Sequence, residues 1–269
     1  MNRGFGVAAA LDPDVAGPLA EVCANLGYAS LWSNDTPIGS GLATLADFAA
    51  GTDGLDLGVT LAIDRHEPGA IAAQVEELGL PRDRLWIGVG AGHSPRPLTA
   101  MREALPRLRE ALGDVRLLLA GMGPKMCAFG GAEFDGVFFN WVTPAFAAFS
   151  REQVERGAAE AGREAPPVFG YVRTAVGPDA ARRLLKEETF YRDLHDGYRR
   201  HFARLSEPEG TVGVAAADRQ AVQTALASYS ALDVTVVRAL ASANLEAMSA
   251  LAEAAAPPSQ PAGQGPSAG

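Results

Sequence analysis

The most constraining feature of this sequence is the regular alternation of short apolar runs with longer segments of helical spacing. Eight apolar runs have the length of buried β-strands, and a helical segment follows each of them. The predicted strands are Phe5–Ala10, Ser30–Ser33, Leu55–Ile63, Arg84–Ala91, Val115–Ala120, Phe134–Val142, Val168–Val176 and Asp233–Leu240. Strands that alternate with helices pair in parallel, because a parallel connection must cross the sheet and usually does so as a helix. The pattern therefore predicts a parallel α/β fold.

Eight strand–helix units in a chain of 269 residues predict a closed (β/α)8 TIM barrel, formed as a single domain with short insertions. An open, doubly wound sheet is the alternative, although no Gly-x-Gly-x-x-Gly follows the first strand as a Rossmann fold requires. The barrel domain is expected to cover residues 1–256, and its longest helical segment is Asp179–Leu205. Residues 257–269 consist of Pro, Ser, Gln, Gly and Ala, so they are predicted to form a disordered tail.

The composition argues against several other classes of protein. Hydrophobic residues make up 48% of the chain and charged residues 20%, which is typical of a soluble globular protein, and the formal net charge of −9 argues against a nucleic-acid partner. No apolar run is long enough to cross a bilayer, and the N-terminus lacks the apolar segment of a signal peptide, so we expect a cytoplasmic protein. Cys23 and Cys127 are expected to be buried free thiols. With four scattered histidines, these cysteines give no metal-binding spacing, so no metal site is predicted.

Two consecutive strand ends carry a pattern that is typical of phosphate binding. The fifth predicted strand ends in Ala120–Gly123 and the sixth in Asn140–Thr143, and each leads directly into a helix. A turn before a helix presents several backbone N–H groups in one place, where the helix dipole also favours an anion. Because the two strands are neighbours in the predicted barrel, the two turns are expected to hold one phosphate from two sides.

In a barrel of this kind, reactive side chains lie at the carboxyl ends of the strands. The other strand ends contribute Trp32, Asp35, Asp64, His66, Gly90, Gly92, His93, Arg173 and Arg238. Several have a structural alternative: the glycines could relieve crowding, Asp35 could cap a helix, Trp32 and Trp141 could be core residues, and Asp64 could pair with Arg65. No lysine is placed for a Schiff base, and no Gly-x-Ser-x-Gly or paired acidic metal motif is present. This inventory favours a site whose chemistry comes from a bound cofactor.

At these residues the chain resembles the bacterial-luciferase-like family of flavin- and deazaflavin-dependent oxidoreductases. The matching segments are Leu26–Asp35, Asp83–Gly92, Leu119–Met126, Ala132–Val137 and Ala231–Arg238. The more specific of these are the block that ends in Gly-x-Gly-x-Gly and the block that contains Gly-Pro-Lys-Met. The resemblance extends from Phe5 to Leu251.

The resemblance implies a barrel that binds the deazaflavin coenzyme F(420), with FMN as the alternative. In the family the phosphate lies on turns that match the two described above, and the ring lies over the barrel mouth. A non-proline cis peptide bond often backs the ring, and here it would fall within residues 60–63. The residues expected to bind the cofactor are Trp32, Gly90, Gly92, Ala120, Gly121, Met122, Gly123, Asn140, Trp141, Val142, Thr143 and Arg238.

The activity that the resemblance implies is hydride transfer between coenzyme F(420) and a small organic substrate. Asp35, His93 and Arg173 are the candidate catalytic residues. Many deazaflavin enzymes of the family carry Asp-His at the end of the second strand, whereas here Thr36 follows Asp35, so His66 or His93 would have to replace the missing histidine.

Other functions remain open at this point. An FMN-dependent monooxygenase and a flavin- or deazaflavin-binding protein without catalysis are the alternatives. A phosphosugar isomerase or aldolase ranks last, because no catalytic Lys or Glu stands at a strand end. A small molecule is the expected partner, and assembly as a homodimer is left open.

Overall fold

The computed structural model of the protein describes residues 2–9, 11–36 and 39–258. The strands are β1 (Asn2–Ala8), β2 (Ser30–Asn34), β3 (Asp56–Ala62), β4 (Leu85–Gly90), β5 (Arg116–Ala120), β6 (Gly136–Asn140), β7 (Val168–Val176), β8 (Val214–Ala216) and β9 (Val234–Ala239). The helices are α1 (Pro13–Asn25), α2 (Gly41–Gly51), α3 (Pro68–Glu77), α4 (Pro97–Leu112), α5 (Pro124–Glu133), α6 (Pro144–Glu160), α7 (Ala180–Leu194), α8 (Asp196–Leu205), α9 (Arg219–Ala227) and α10 (Leu245–Ala254).

Eight of these strands close into a parallel barrel. Strands β1 to β7 pair in sequence order, β7 then pairs with β9, and β9 pairs with β1, so the ring has no open edge. The short strand β8 lies outside the ring and pairs with the last three residues of β7, beyond the point where β6 has ended. The prediction of a (β/α)8 barrel is confirmed, and the open-sheet alternative is wrong.

Two details between β7 and β9 differ from the sequence prediction. Strand β8 was not predicted, because three residues are too few to show a periodic pattern. The predicted helix Asp179–Leu205 is two helices, broken at His195, whose backbone is extended with φ −166° and ψ 165°. The His195 ring then caps α8 by accepting a hydrogen bond from the Gly197 N–H at 3.0 Å. The break redirects the chain over the carboxyl ends of the barrel strands.

The barrel interior is filled by large side chains, which makes it a packed core. These are Trp32, Trp86, Leu118, Phe138, Phe169, Tyr171 and Val236. The Trp32 indole fits there because Gly58 faces it: a Cβ atom on Gly58 would lie 2.2 Å from the ring. Trp32 is fully buried and donates to the Ser30 hydroxyl at 2.7 Å, so it is a core residue, and we do not retain it among the cofactor contacts.

Three further sequence expectations concern the backbone and the ends of the chain. No cis peptide bond occurs in the described residues, so the one expected within residues 60–63 is not found. Residues 259–269 of the predicted tail lie outside the described residues, which leaves that prediction untested. Among the helices that the structure describes, none has the length and apolar character needed to span a membrane.

Candidate active site

The mouth of the barrel is formed by the last inward-facing residue of each strand. Side chains alternate along a strand, so residues an even number of positions beyond an inward-facing residue also face inward. They are Ala8, Asn34, Ala62, Gly90, Ala120, Asn140, Arg173 and Arg238. On β3, β4 and β5 these residues are small and partly exposed, whereas β6, β7 and β9 contribute polar side chains. The mouth therefore has an open floor of small residues beside a polar wall.

The polar wall contains two buried guanidinium groups. Arg173 and Arg238 stand opposite each other in the register of β7 and β9 and are only 2% and 5% exposed. Arg173 donates to Asn140 Oδ1 and packs on the Trp141 ring at 4.0 Å, while Arg238 Nε donates to Asn34 Oδ1 at 3.2 Å. Burial lowers the pKa of Arg173, and the charge of Arg238 lowers it further. Among the described residues, no carboxylate lies within 4 Å of either group.

The two predicted phosphate turns lie side by side at the N-termini of α5 and α6. These helices approach closely because glycines face each other's backbone: a Cβ atom on Gly131 would lie 2.0 Å from the Val154 carbonyl oxygen, and one on Gly157 would lie 1.9 Å from that of Ala128. Gly123 and Thr143 occupy the N-cap positions, followed in each case by proline, which has no N–H to leave unsatisfied.

The N–H groups of these turns remain available to a ligand. Those of Met122, Gly123 and Thr143 donate to no group within the described residues. The carbonyl groups are turned towards α8, where His201 Nε2–H donates to Trp141 O at 2.6 Å and Arg204 donates to Met122 O at 3.2 Å. Helix α8 thus binds the acceptors of the turns and leaves donors free, as anion binding requires.

A carboxylate–imidazole pair lies at the rim beside β2 and β3. Asp35 Oδ2 is 2.7 Å from Nε2 of His66, which comes from the loop after β3, and Asp35 Oδ1 accepts from the Gly41 N–H at 2.8 Å. The side chains of Asp35 and His66 are 9% and 22% exposed. Thr36, at the position of the family's histidine, instead forms an isolated β-bridge with Gly39. His66 therefore occupies the place beside Asp35 that the sequence left unassigned.

The other predicted histidine lies in a more exposed position. Asp64 accepts from the His93 N–H at 2.8 Å and contacts Nδ1 at 3.1 Å, so Asp64 pairs with His93 and the alternative pair with Arg65 is not seen. Burial alone would raise the pKa of Asp64, but these contacts with His93 outweigh it, and the pKa lies below its ordinary value. The His93 side chain is 65% exposed. Gly92 has φ 59°, and a Cβ atom there would lie 1.9 Å from Asp64 Oδ1, so its role in this structure is to shape the loop.

Helices α7 and α8 cover part of the mouth with residues that sequence reasoning missed. Tyr198 Oη accepts from Asn140 Nδ2 at 2.9 Å, the Tyr191 ring packs 5.2 Å from that of Trp141, and the His195 ring lies 4.9 Å from that of His93. Tyr191 and Tyr198 lie on different helices, on either side of the break at His195, so no single helical period in the sequence relates them. These helices bury Trp141 fully, so its indole reaches the site only through Arg173.

The comparisons with known proteins concern the family resemblance and the fold. Residues 113–242 match the family model of luciferase-like monooxygenases, which confirms the resemblance seen in the sequence. The match covers just under half of the chain, so over these residues the chain is similar to the luciferase-like monooxygenases. The (β/α)8 barrel extends beyond the matched part to the whole described fold.

Several solved structures share the fold at low sequence identity. An F420-dependent secondary alcohol dehydrogenase in complex with an F420–acetone adduct is 15% identical, with 94% of this chain and 98% of that chain covered and a TM-score of 0.74. The coenzyme F420-dependent tetrahydromethanopterin reductase from Methanopyrus kandleri is 17% identical, with coverages of 94% and 97% and a TM-score of 0.71. The oxygenating constituent of 3,6-diketocamphane monooxygenase from Pseudomonas putida, in complex with FMN, is 13% identical, with coverages of 95% and 98% and a TM-score of 0.62. No curated protein matches the chain in sequence.

Proposed function

We propose that the protein is an oxidoreductase that transfers a hydride between coenzyme F(420) and a small organic substrate. The observation that carries this proposal is the set of free N–H groups at the N-termini of α5 and α6, next to an open floor of small residues. Two proteins whose solved structures share the fold are F420-dependent enzymes, and this similarity supports the proposal. The FMN complex of a third, and the family description, favour an FMN-dependent monooxygenase as the second candidate.

The residues of the mouth suit a phosphorylated, flat cofactor. The N–H groups of Met122, Gly123 and Thr143 would hold the phosphate, aided by two helix dipoles and by the Arg204 guanidinium that contacts Met122 O. Ala62, Gly90 and Ala120 leave room for a ring above β3, β4 and β5. When bound, a deazaflavin ring supplies or accepts the hydride, so the protein has to orient the substrate and handle the accompanying proton.

We assign the proton transfer to His66. Conversion between an alcohol and a carbonyl compound moves a proton on the oxygen atom as well as a hydride on the carbon atom. The contact between His66 Nε2 and Asp35 Oδ2 keeps the proton of the neutral ring on Nε2, which leaves Nδ1 as the base. Asp35 is then a positioning residue, fixed in turn by the Gly41 N–H. His93 is less suited, because its side chain is largely exposed to solvent.

Titration of the purified protein with each cofactor tests the proposal. We expect F(420) to bind with a dissociation constant in the micromolar range, and FMN more weakly, as followed by cofactor fluorescence. Turnover of a carbonyl compound with reduced F(420) would then separate an enzyme from a cofactor-binding protein. Binding of FMN alone would favour the monooxygenase, and binding of neither cofactor would contradict both candidates.

A further inference from the structure

Arg173 and Arg238 stand out among the buried charges of the described residues. A buried charge normally has an ionic partner or a full set of hydrogen bonds, because the loss of hydration is otherwise costly. Glu188 is paired with Arg192 at 2.6 Å, and Arg3 donates to the carbonyl groups of Ala255 and Ala256. The two arginines of the mouth have only neutral acceptors.

Their hydrogen bonds use a minority of the available donors. A guanidinium group carries five N–H bonds. Arg173 donates from Nη1 to Asn140, and its buried Nε has no partner. Arg238 donates from Nε to Asn34 and from Nη1 to the Ala239 carbonyl at 3.1 Å. Within the described residues, Nη2 of each arginine donates to nothing, so both groups retain a free donor.

The two side chains are also held in place although they repel each other. Arg173 packs between the rings of Trp141 and Tyr191, at 4.0 and 5.0 Å, and such contacts stabilise a cation and fix its orientation. Glu187 is the carboxylate that acts on Arg173, and it does so from beyond ion-pair distance. Two adjacent positive charges with fixed donors and no ion-pair partner among the described residues form a preorganised receptor for an oxyanion, which Arg binds in a bidentate manner.

We propose that Arg173 and Arg238 form the substrate subsite of the mouth and bind an oxyanion, a carboxylate or a phosphate, that the organic substrate carries. This inference rests on the proposed function, which assigns the cofactor phosphate to the turns before α5 and α6. The anion at the two arginines is therefore assigned to the substrate. The position agrees with that role: the acceptor of Arg238 is Asn34, the residue directly before Asp35 of the proton-transferring pair. The substrates are therefore organic acids or phosphorylated compounds.

The test is a titration of the cofactor-free protein with anions, in which isothermal calorimetry at constant ionic strength measures the binding. The cofactor-phosphate turns must be blocked first, and Gly123→Asp does this by placing a carboxylate where a Cβ atom has no neighbour within 4 Å. Full-length Gly123→Asp protein is titrated with malonate and with inorganic phosphate. We expect saturable one-to-one binding of at least one of them. Malonate would indicate organic acids as substrates, and phosphate alone would indicate phosphorylated compounds.

Variants assign the binding to the arginine pair. Arg238→Met in the same background should weaken the binding by about tenfold or more, because it removes charge-assisted hydrogen bonds. Arg182→Met is the matched control, because Arg182 is an exposed arginine of α7 that pairs with Asp179, and it should leave the binding unchanged. Arg238→Lys, which keeps the charge and loses the bidentate geometry, should give an intermediate affinity.

Two results would overturn the subsite: no saturable binding of either anion to the Gly123→Asp protein, or equal affinity after Arg238→Met. The first result needs no arginine variant, so misfolding caused by loss of a buried arginine cannot produce it, and urea unfolding of the Gly123→Asp protein beside wild type shows that this background is folded. Failure of the proposed function would look different, because wild-type protein would then bind neither cofactor while the anion titration still succeeded.

Discussion

At the scale of single residues, the pairing of Asp35 with His66 decides how this mouth could handle a proton. The sequence predicted Asp35 as a candidate catalytic residue and named His66 as one of two replacements for the missing histidine. The contact itself could not be predicted, because 31 residues separate the partners and only closure of the barrel brings the two loops together. The structure distinguishes two similar carboxylate–imidazole pairs: Asp35 and His66 are largely buried at the rim, whereas His93, the partner of Asp64, is largely exposed to solvent.

His66→Gln is therefore expected to lower kcat by about 100-fold, since a positioned general acid or base contributes roughly that much or more. Glutamine can still bind Asp35 but cannot carry a proton. The affinity for cofactor should stay unchanged. His93→Gln is the matched control and should remain within about twofold of wild type. If His66→Gln retained the rate of wild type, the assignment to His66 would be wrong.

Trp32 was predicted to contact the cofactor, but the structure places it in the barrel interior. Trp32 stands one residue before the predicted end of the second strand, so it looked like a mouth residue. The strand continues to Asn34, and Gly58 on β3 gives the indole space in the interior. The space beside the indole depends on the register between β2 and β3, and the apolar pattern of one strand does not determine how that strand pairs with its neighbour.

At the scale of elements, the α7–α8 segment links the mouth to the stability of the fold. Buried Glu188 on α7 accepts from the Val212 N–H at 3.0 Å, and Arg192 binds the same carboxylate and packs over Phe202 of α8. His201 of α8 then donates to the Trp141 carbonyl of the predicted phosphate turn. Trp141 has φ 54°, a conformation that residues other than glycine rarely adopt, so α8 contributes to holding this turn in shape.

The contact of His201 predicts a dependence of stability on pH. Burial lowers the pKa of His201 from 6.5 to about 4, so the folded protein keeps the ring neutral while the unfolded chain binds a proton. The stabilisation is complete above pH 6.5 and is lost as the pH falls towards 4. The loss amounts to about 3 kcal/mol of unfolding free energy at roughly 1.4 kcal/mol per pKa unit.

His201→Gln should remove most of that acid loss, because a glutamine amide can donate to the same carbonyl without titrating. Urea unfolding of both proteins between pH 7 and pH 4.5 measures the difference. His93→Gln, which changes a largely exposed ring, should keep the wild-type dependence. An unchanged acid loss in His201→Gln would mean that His201 is not the group responsible.

At the scale of the whole molecule, the sequence predicted the barrel because the period of its apolar residues changes eight times between strand and helix. That signal is local and strong, and it predicted all eight barrel strands and most helices before any contact was known. It did not reveal β8 or the break at His195, since three residues of strand and one extended residue barely alter the pattern. The strand-turn-helix pattern and the family resemblance both predicted the phosphate turns, and the structure added N–H groups without a partner among the described residues and the helix that contacts the carbonyl groups.

The central proposal for this molecule is that a flavin-type cofactor binds with its phosphate at the N-termini of α5 and α6. Gly123 tests the claim directly, because its φ of −124° suits any residue and a Cβ atom there meets no neighbour within 4 Å. Asp and Asn are equally good N-cap residues, so Gly123→Asp and Gly123→Asn differ only in charge.

The decisive measurement is the F(420) dissociation constant of these two variants beside that of wild type, with FMN titrated in parallel. We expect the Asn variant to bind F(420) within a few-fold of wild type and the Asp variant to bind it about tenfold or more weakly, because its carboxylate repels the phosphate. Equal affinities of the Asp and Asn variants would place the phosphate elsewhere and contradict the central claim.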